Sequence, residues 1–246
     1  LRETMKRTVA AIFAASILGA SLFLAYAYKT RGDRNGNISV TGLGSIDFES
    51  DIIMWRGSYE TSDSNMARAF ETLRKHKNIV ESYLVERGIK PGEITFRQVN
   101  TDEENRSLYN EEGNYVGSEF EAYRLSQMVQ IDSKDLDRVI AISREIPELL
   151  EEGIEIQSNN PKYYYSDLDA IKLNLIEQAS ENGRIRAEQI ARNSKSYLKG
   201  LKSAKLGVFQ ILGYNSGESY SWSGTFNTSS RWKTASITVK MNFEVE

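Results

Sequence analysis

The sequence predicts an α+β protein made of two interlocked lobes of mixed, mostly antiparallel sheet, with helices packed on one face of each sheet. Two observations lead to this fold class. Segments in which apolar residues occur at every second position alternate with segments of helical period near 3.6. The helical segments interrupt pairs of strands, unlike the strict alternation of a doubly wound sheet. We expect this fold over residues 36–246, after an N-terminal hydrophobic helix.

The N-terminal segment from Thr8 to Tyr28 contains twenty-one consecutive uncharged residues. As a helix it would be about 31 Å long, enough to cross a bilayer core. Ala25 and Ala27 also resemble the small residues that precede a signal-peptide cleavage site. Residues 1–35 are therefore predicted to form a membrane anchor or a signal peptide, followed by a linker. Either alternative places the domain in the cell envelope, anchored in the inner membrane or, if the leader is cleaved, free in the periplasm.

The first elements of the domain are two predicted strands and a helix. Residues 38–48 and 52–59 are rich in β-forming residues, and their close succession predicts a hairpin. Ser62 or Asp63 then caps a helix that runs to about Arg87. Apolar residues recur along this helix at the spacing that gives one buried face.

The middle of the domain is predicted to contain two more strands. Residues 94–100 form the first of them, after a turn rich in proline and glycine. The polar residues 101–119 predict a solvated hairpin loop, and residues 123–131 predict the second strand. Asp132 or Ser133 is expected to cap the helix that follows.

The remaining elements are a short strand, the longest helix and two final strands. The short strand begins at Ile154 and is followed by a turn over residues 161–165. The long helix is predicted over residues 166–198. The last strand, residues 235–246, alternates regularly between apolar and polar positions, which predicts one buried and one wet face. The apolar stripe of the long helix becomes small in its middle, at Ala179, Gly183 and Ala187, which predicts a close approach of a sheet or a neighbouring helix.

Composition excludes several kinds of function. The chain has no cysteine, which rules out disulfides, thiolate catalysis and cysteine metal sites. Its single histidine, His76, lies in a charged run on a predicted helix and is interpreted as a solvated surface residue. The formal net charge of -3 offers no basic field for nucleic acid. We therefore predict no nucleic-acid partner, no cofactor and no metal site.

No arrangement of acids or nucleophiles predicts an enzyme. Asp167 and Asp169 lie near a predicted helix N-terminus, where the helix dipole favours negative charge without any catalytic role. The paired glutamates are neighbours in sequence and point to different faces. The chain contains neither a nucleophile elbow nor a phosphate-cradling glycine loop. We assign no catalytic residue and expect a non-enzymatic protein, with a hydrolase as the least supported alternative.

Several segments resemble the SIMPL-domain family, bacterial envelope proteins named after a kinase-associated signalling protein. The segments are residues 38–44 (ISVTGLG), residues 88–95 (GIKPGEIT), Asp135-Leu136, Gly153-Ile154 and Leu206-Gly207. Together with the elements between them they cover nearly all of residues 38–246. The proline-aspartate usual after the opening strand of the family is absent, and residues 48–51 (FESD) stand in its place.

This resemblance implies an exported scaffold or a stress-associated envelope component. Members of the family are periplasmic, secreted or anchored in the envelope, and some are linked to oxidative-stress defence. Some form ring-like oligomers, and no reaction is established, so the resemblance supplies no catalytic residues. Exposed edges of mixed sheets can pair with a neighbouring chain. We therefore expect a homo-oligomer.

Two aromatic clusters suggest an alternative, a module that binds an envelope polysaccharide or protein. Exposed aromatic rings can stack on sugars or bury in a partner surface. The same rings could instead alternate inward and pack on the core. The candidate partner-binding residues are Tyr163, Tyr164, Tyr165, Tyr220, Trp222, Phe226 and Trp232.

Overall fold

The computed structural model describes the backbone of residues 2–32 and 36–246 and the side chains of residues 12–28 and 36–246. The described helices are α1 (Arg2–Gly32), α2 (Met66–Glu86), α3 (Leu136–Glu145) and α4 (Leu168–Asn193). The described strands are β1 (Asn37–Glu49), β2 (Ile52–Asp63), β3 (Ile94–Phe96), β4 (Asn100–Tyr109), β5 (Tyr115–Ser133), β6 (Ile156–Ser158), β7 (Lys162–Tyr164), β8 (Leu198–Leu206), β9 (Gln210–Gly213), β10 (Thr225–Phe226) and β11 (Trp232–Val245). Helices combined with two sheets confirm the predicted α+β class.

The chain divides into two compact units. Unit 1 comprises Leu1–Gly44, Glu177–Gly207 and Thr238–Glu246, and unit 2 comprises Ser45–Ile176 and Val208–Ile237. Three of the four divisions fall within β1, α4 and β11, and the fourth lies between β8 and β9. That the two lobes interlock stays a prediction.

The apolar segment from Thr8 to Tyr28 lies within α1. The side chains of residues 8–11 lie outside the described part of the chain. Among the described residues, no helix combines the length and the apolar character needed to cross a membrane. The predicted membrane anchor is not confirmed.

A six-stranded antiparallel sheet forms the body of unit 2. Its order is β3-β5-β2-β6, with β4 also paired to β5 and β7 also paired to β2. The predicted hairpin of the first two strands is wrong, because β1 is a neighbour of β11 in the other sheet. The two connecting residues explain the difference. The N–H of Ser50 donates to the carbonyl of Arg231, and the N–H of Asp51 donates to that of Tyr164, so the chain leads away from β1.

Helices α2 and α3 cover one face of this sheet. Trp55 and Ile131 on paired strands are fully buried, together with Leu84 of α2 and Ile142 of α3. Both helices begin later than predicted. Asn65 caps α2, because β2 continues through Asp63, and Asp135 caps α3 by accepting from the N–H of Arg138 at 3.1 Å. His76 on α2 is half-buried and not fully solvated, and burial lowers its pKa.

The polar residues 101–119 are strands and not the predicted loop. β4 pairs with the first part of β5 from Asn100 opposite Ser126 to Tyr109 opposite Tyr115. We call residues 100–121 the acidic arm, since they carry seven carboxylates and one cation. Almost every residue of the arm is exposed. The sequence pattern missed these strands because neither face is regularly apolar. Their pairing adds a ring contact between Tyr109 and Tyr115 and an ion pair between Arg106 and Glu119 to the backbone hydrogen bonds.

Close contact between α4 and β1 organises unit 1. A Cβ atom on Gly42 would lie 1.9 Å from the carbonyl oxygen of Ala179, and one on Gly183 would lie 2.0 Å from the Cε of Met241. The N–H of Leu43 donates to Asn182 of α4 at 3.2 Å. The small residues predicted in the middle of the long helix therefore allow its backbone to approach β1.

The C-terminal side of α4 differs from the prediction. The helix ends at Asn193, and Lys195 adopts a left-handed φ of 56°. The N–H of Ser196 donates a hydrogen bond back to the carbonyl of Ala191. β8 follows and pairs antiparallel with β11. We call β8 the basic edge, because it is exposed along nearly its whole length. Its charged residues are Lys199, Lys202 and Lys205.

Candidate functional site

The tyrosines of the first aromatic cluster lie in β7 and directly after it, not in the predicted turn. Tyr163 packs against the hydrophobic core of unit 2. The ring of Tyr165 contacts that of Phe48 edge to face, at 5.0 Å between centroids. Tyr164 is half-buried, and its ring lies 6.4 Å from that of Phe226 in the second cluster. Two of these tyrosines are therefore packing residues, and the third joins the clusters.

The second cluster is exposed. We call residues 214–232 the aromatic loop, which leads from β9 to β11 and includes β10. Trp222 is fully exposed, at 100% of its reference area. Tyr220, Phe226 and Trp232 are each about half exposed or more. These rings were predicted as candidates from sequence, and the structure places all four on the surface.

A polar network, buried at Asn227 and Lys233 and exposed at Glu218, holds this loop in shape. The carboxylate of Glu218 accepts from the N–H of Gly213 at 2.9 Å and from Nδ2 of Asn227 at 2.5 Å. The ammonium of Lys233, only 1% exposed, donates to the carbonyls of Asn227 at 2.7 Å and Ser230 at 2.6 Å. Burial lowers the pKa of Lys233 to about 8, against an opposing effect of Glu218. The backbone hydrogen bond from Gly213 lowers the pKa of Glu218.

A second candidate site, which the spacing of residues alone did not predict, is a cleft of about 740 Å³ in unit 2. Three segments distant in sequence meet there. They are the connection between β1 and β2, the turn after α2, and the start of α3. Arg231 also lines the cleft. Two of these segments, residues 88–95 and 135–136, carry the family resemblance, and the third, residues 48–51, is where the chain departs from the family pattern.

Ion pairs and hydrogen bonds connect the walls of the cleft. Nε of Arg231 lies 2.5 Å from a carboxylate oxygen of Glu49, and its Nη1 contacts the carboxylate of Asp137. Both acids raise the pKa of Arg231, Asp137 more strongly. On the opposite side, Glu93 accepts from the hydroxyl of Ser133 at 2.7 Å and from the N–H of Lys90 at 3.0 Å. The cleft is therefore a built polar site.

Comparison with known families identifies the family of this domain. The model of the SIMPL family, described as "Protein of unknown function (DUF541)", matches residues 38–244. The chain belongs to the SIMPL family. The match includes every segment that lines the cleft and the whole aromatic loop. No curated protein matches this SIMPL chain.

The described part of the SIMPL domain offers no ready metal site. No group of three or more histidine, cysteine, aspartate or glutamate residues in it is arranged to hold an ion. The acids of the cleft are instead engaged by cations, hydroxyls and N–H groups. The chemistry that this arrangement supports is recognition through hydrogen bonds and charge.

Proposed function

We propose that this SIMPL domain is a non-enzymatic scaffold of the cell envelope that associates with further copies of itself. The single observation that carries the proposal is the charge complementarity between the acidic arm and the basic edge. β4 pairs only with β5, and β8 only with β11, among the described strands. Each therefore has an edge whose N–H and C=O groups are available to another chain.

The acidic arm would gain stability from contact with a partner chain. A two-stranded hairpin is at best marginally stable in water, and this one exposes Tyr109, Tyr115 and Val116 near its turn. Its carboxylates would complement the lysines of the basic edge of a second copy. Such a contact joins two different surfaces, so repetition of it gives a ring or a filament. The resemblance to stress-associated family members fits a scaffold of this kind without defining its client.

Charge reversal tests the self-association. We expect the full chain to sediment as an oligomer at low salt and to dissociate as salt screens the charges. Glu103→Lys with Glu121→Lys on the arm should give monomers, and so should Lys202→Glu with Lys205→Glu on the edge. Mixing the two reversed proteins should restore association between them.

Lys75→Glu, on the exposed face of α2, serves as a control and should leave the oligomer unchanged. The measurement is sedimentation velocity over a range of protein and salt concentrations. A wild-type chain that is monomeric under all these conditions would contradict the proposal.

The aromatic loop supports a second candidate function, binding of an envelope polysaccharide or protein. A fully exposed tryptophan on a loop tied by Glu218 and Lys233 presents a large apolar ring at little cost in conformational entropy. Titration with cell-wall glycan fragments should shift the tryptophan fluorescence. Trp222→Phe should lose most of the shift, whereas Trp55→Phe, in the core, should keep it. An unchanged fluorescence spectrum at millimolar glycan would exclude polysaccharide binding.

The envelope location is part of the same proposal. It is supported by the uncharged run from Thr8 to Tyr28 and by the family resemblance. A reporter enzyme that is active only outside the cytoplasm, fused after Glu246, should be active in cells. Deletion of residues 1–35 should abolish that activity. An active cytosolic reporter on the intact chain would contradict an exported domain.

A further inference from the structure

The acids of the cleft are already engaged, which decides what kind of ligand it can take. Asp135 pairs with Nε of Arg138 at 3.0 Å, and Asp51 accepts from the N–H of Ser166 at 2.7 Å. The other three carboxylates, described above, are held by Arg231, by Ser133 and by a backbone N–H. A cationic ligand would have to compete with all these donors.

The cleft groups that have no partner among the described residues are cations and hydrogen-bond donors. Lys90 and Lys134 line the cleft, and neither forms an ion pair within the described residues. The N–H groups of Leu136 and Asp137, in the first turn of α3, likewise have no acceptor there. N–H groups at the start of a helix favour negative charge, both through hydrogen bonding and through the helix dipole.

Ser50 supplies an independent sign of a missing partner. Its side chain lines the cleft but is only 3% exposed, and its hydroxyl has no hydrogen-bond partner in the described part of the chain. Buried hydroxyls are normally hydrogen-bonded, and an orphan needs an explanation. This hydroxyl is therefore a hydrogen-bonding group at the cleft for which the described residues supply no partner.

From these observations we propose that the cleft binds a small molecule through an oxyanion group, a phosphate or a carboxylate. Lys90 and Lys134 supply the opposite charge, and Ser50 and the first turn of α3 supply hydrogen bonds. The cleft volume of about 740 Å³ exceeds that of a single oxyanion, so the group is one end of a larger molecule. No lining residue of the cleft belongs to the acidic arm or the basic edge, and Arg231 is the one that belongs to the aromatic loop.

Calorimetric titration of the full chain with inorganic phosphate, and separately with citrate, tests the site at constant ionic strength in chloride. We expect saturable binding of at least one probe with a Kd near the millimolar range. Lys90→Gln with Lys134→Gln should weaken it about tenfold or more. Ser50→Ala should weaken it several-fold. These lysines are exposed, so their replacement leaves the fold intact.

Lys75→Gln with Lys240→Gln removes the same charge from surfaces outside the cleft and should leave the affinity unchanged. If phosphate binds and citrate does not, the preferred group is a phosphate, and the reverse result assigns a carboxylate. Failure of both probes to bind the wild-type chain would overturn the proposal. So would equal affinity in the Lys90/Lys134 variant and in the control. None of these results depends on whether the chain self-associates.

Discussion

Replacing Gly42 by alanine is expected to lower the free energy of unfolding by about 3 kcal/mol or more, because the added methyl group has no room. It would lie 1.9 Å from the carbonyl oxygen of Ala179 and 2.7 Å from the N of Gly183. Both contacts are with backbone atoms, so no side chain can rotate away. β1 and α4 would have to separate, with loss of the hydrogen bond from Arg186 to the carbonyl of Thr41 at 2.9 Å.

Urea unfolding followed by circular dichroism measures this effect. Gly200→Ala is the matched control, since a Cβ there meets nothing within 4 Å. It should be neutral or slightly stabilising, because alanine restricts the unfolded chain more than glycine does. Equal stability of the two alanine variants would show that α4 and β1 are not in close contact.

Replacing Lys233 by methionine should cost about 2 to 4 kcal/mol, because two buried carbonyl oxygens would lose their donor. Those oxygens belong to Asn227 and Ser230, both in the aromatic loop. The loop should become mobile, and Trp222 fluorescence should lose anisotropy. Lys240→Met, at an exposed position of the same strand, should change neither quantity. Wild-type stability in Lys233→Met would contradict the structural role of the ammonium.

The same lysine predicts a dependence of stability on pH. Its pKa is about 8 in the folded chain and near the ordinary 10.5 when unfolded. Between these values the unfolded chain binds more protons, so this group contributes stability that rises as the pH rises from about 8 to about 10.5. The neutral amine still offers two N–H donors to the two carbonyls. Subtracting the pH profile of Lys233→Met isolates the contribution, and a flat difference would contradict it.

Elements with a regular apolar pattern were predictable from sequence, and elements without one were not. The alternation over residues 235–246 predicted β11, and the small residues Ala179 and Gly183 predicted a close approach to α4. The acidic arm escaped prediction because its strands carry charge on both faces. The hairpin of β1 and β2 was predicted from proximity in sequence, yet non-local pairing decided their partners.

For the candidate sites too, residue types were predictable from sequence and tertiary contacts were not. Residue type alone identified the aromatic rings, but the packing of Tyr163 and Tyr165 and the exposure of Trp222 depend on tertiary structure. The cleft brings together residues more than 180 positions apart, such as Glu49 and Arg231. Periodicity cannot detect such a meeting, because no local pattern specifies which acid an arginine will reach.

The first and last strands of the SIMPL domain, β1 and β11, are neighbours in one sheet. Thr234 donates to Asp47 at 2.6 Å, and the N–H of Val245 donates to the carbonyl of Gly36 at 3.0 Å. Contacts this distant in sequence require a large loop to close, which slows folding. During synthesis β1 lacks this neighbour until β11, Trp232–Val245, has emerged. Until then β1 is a strand without this neighbour, and an unpaired strand is open to pairing with other chains.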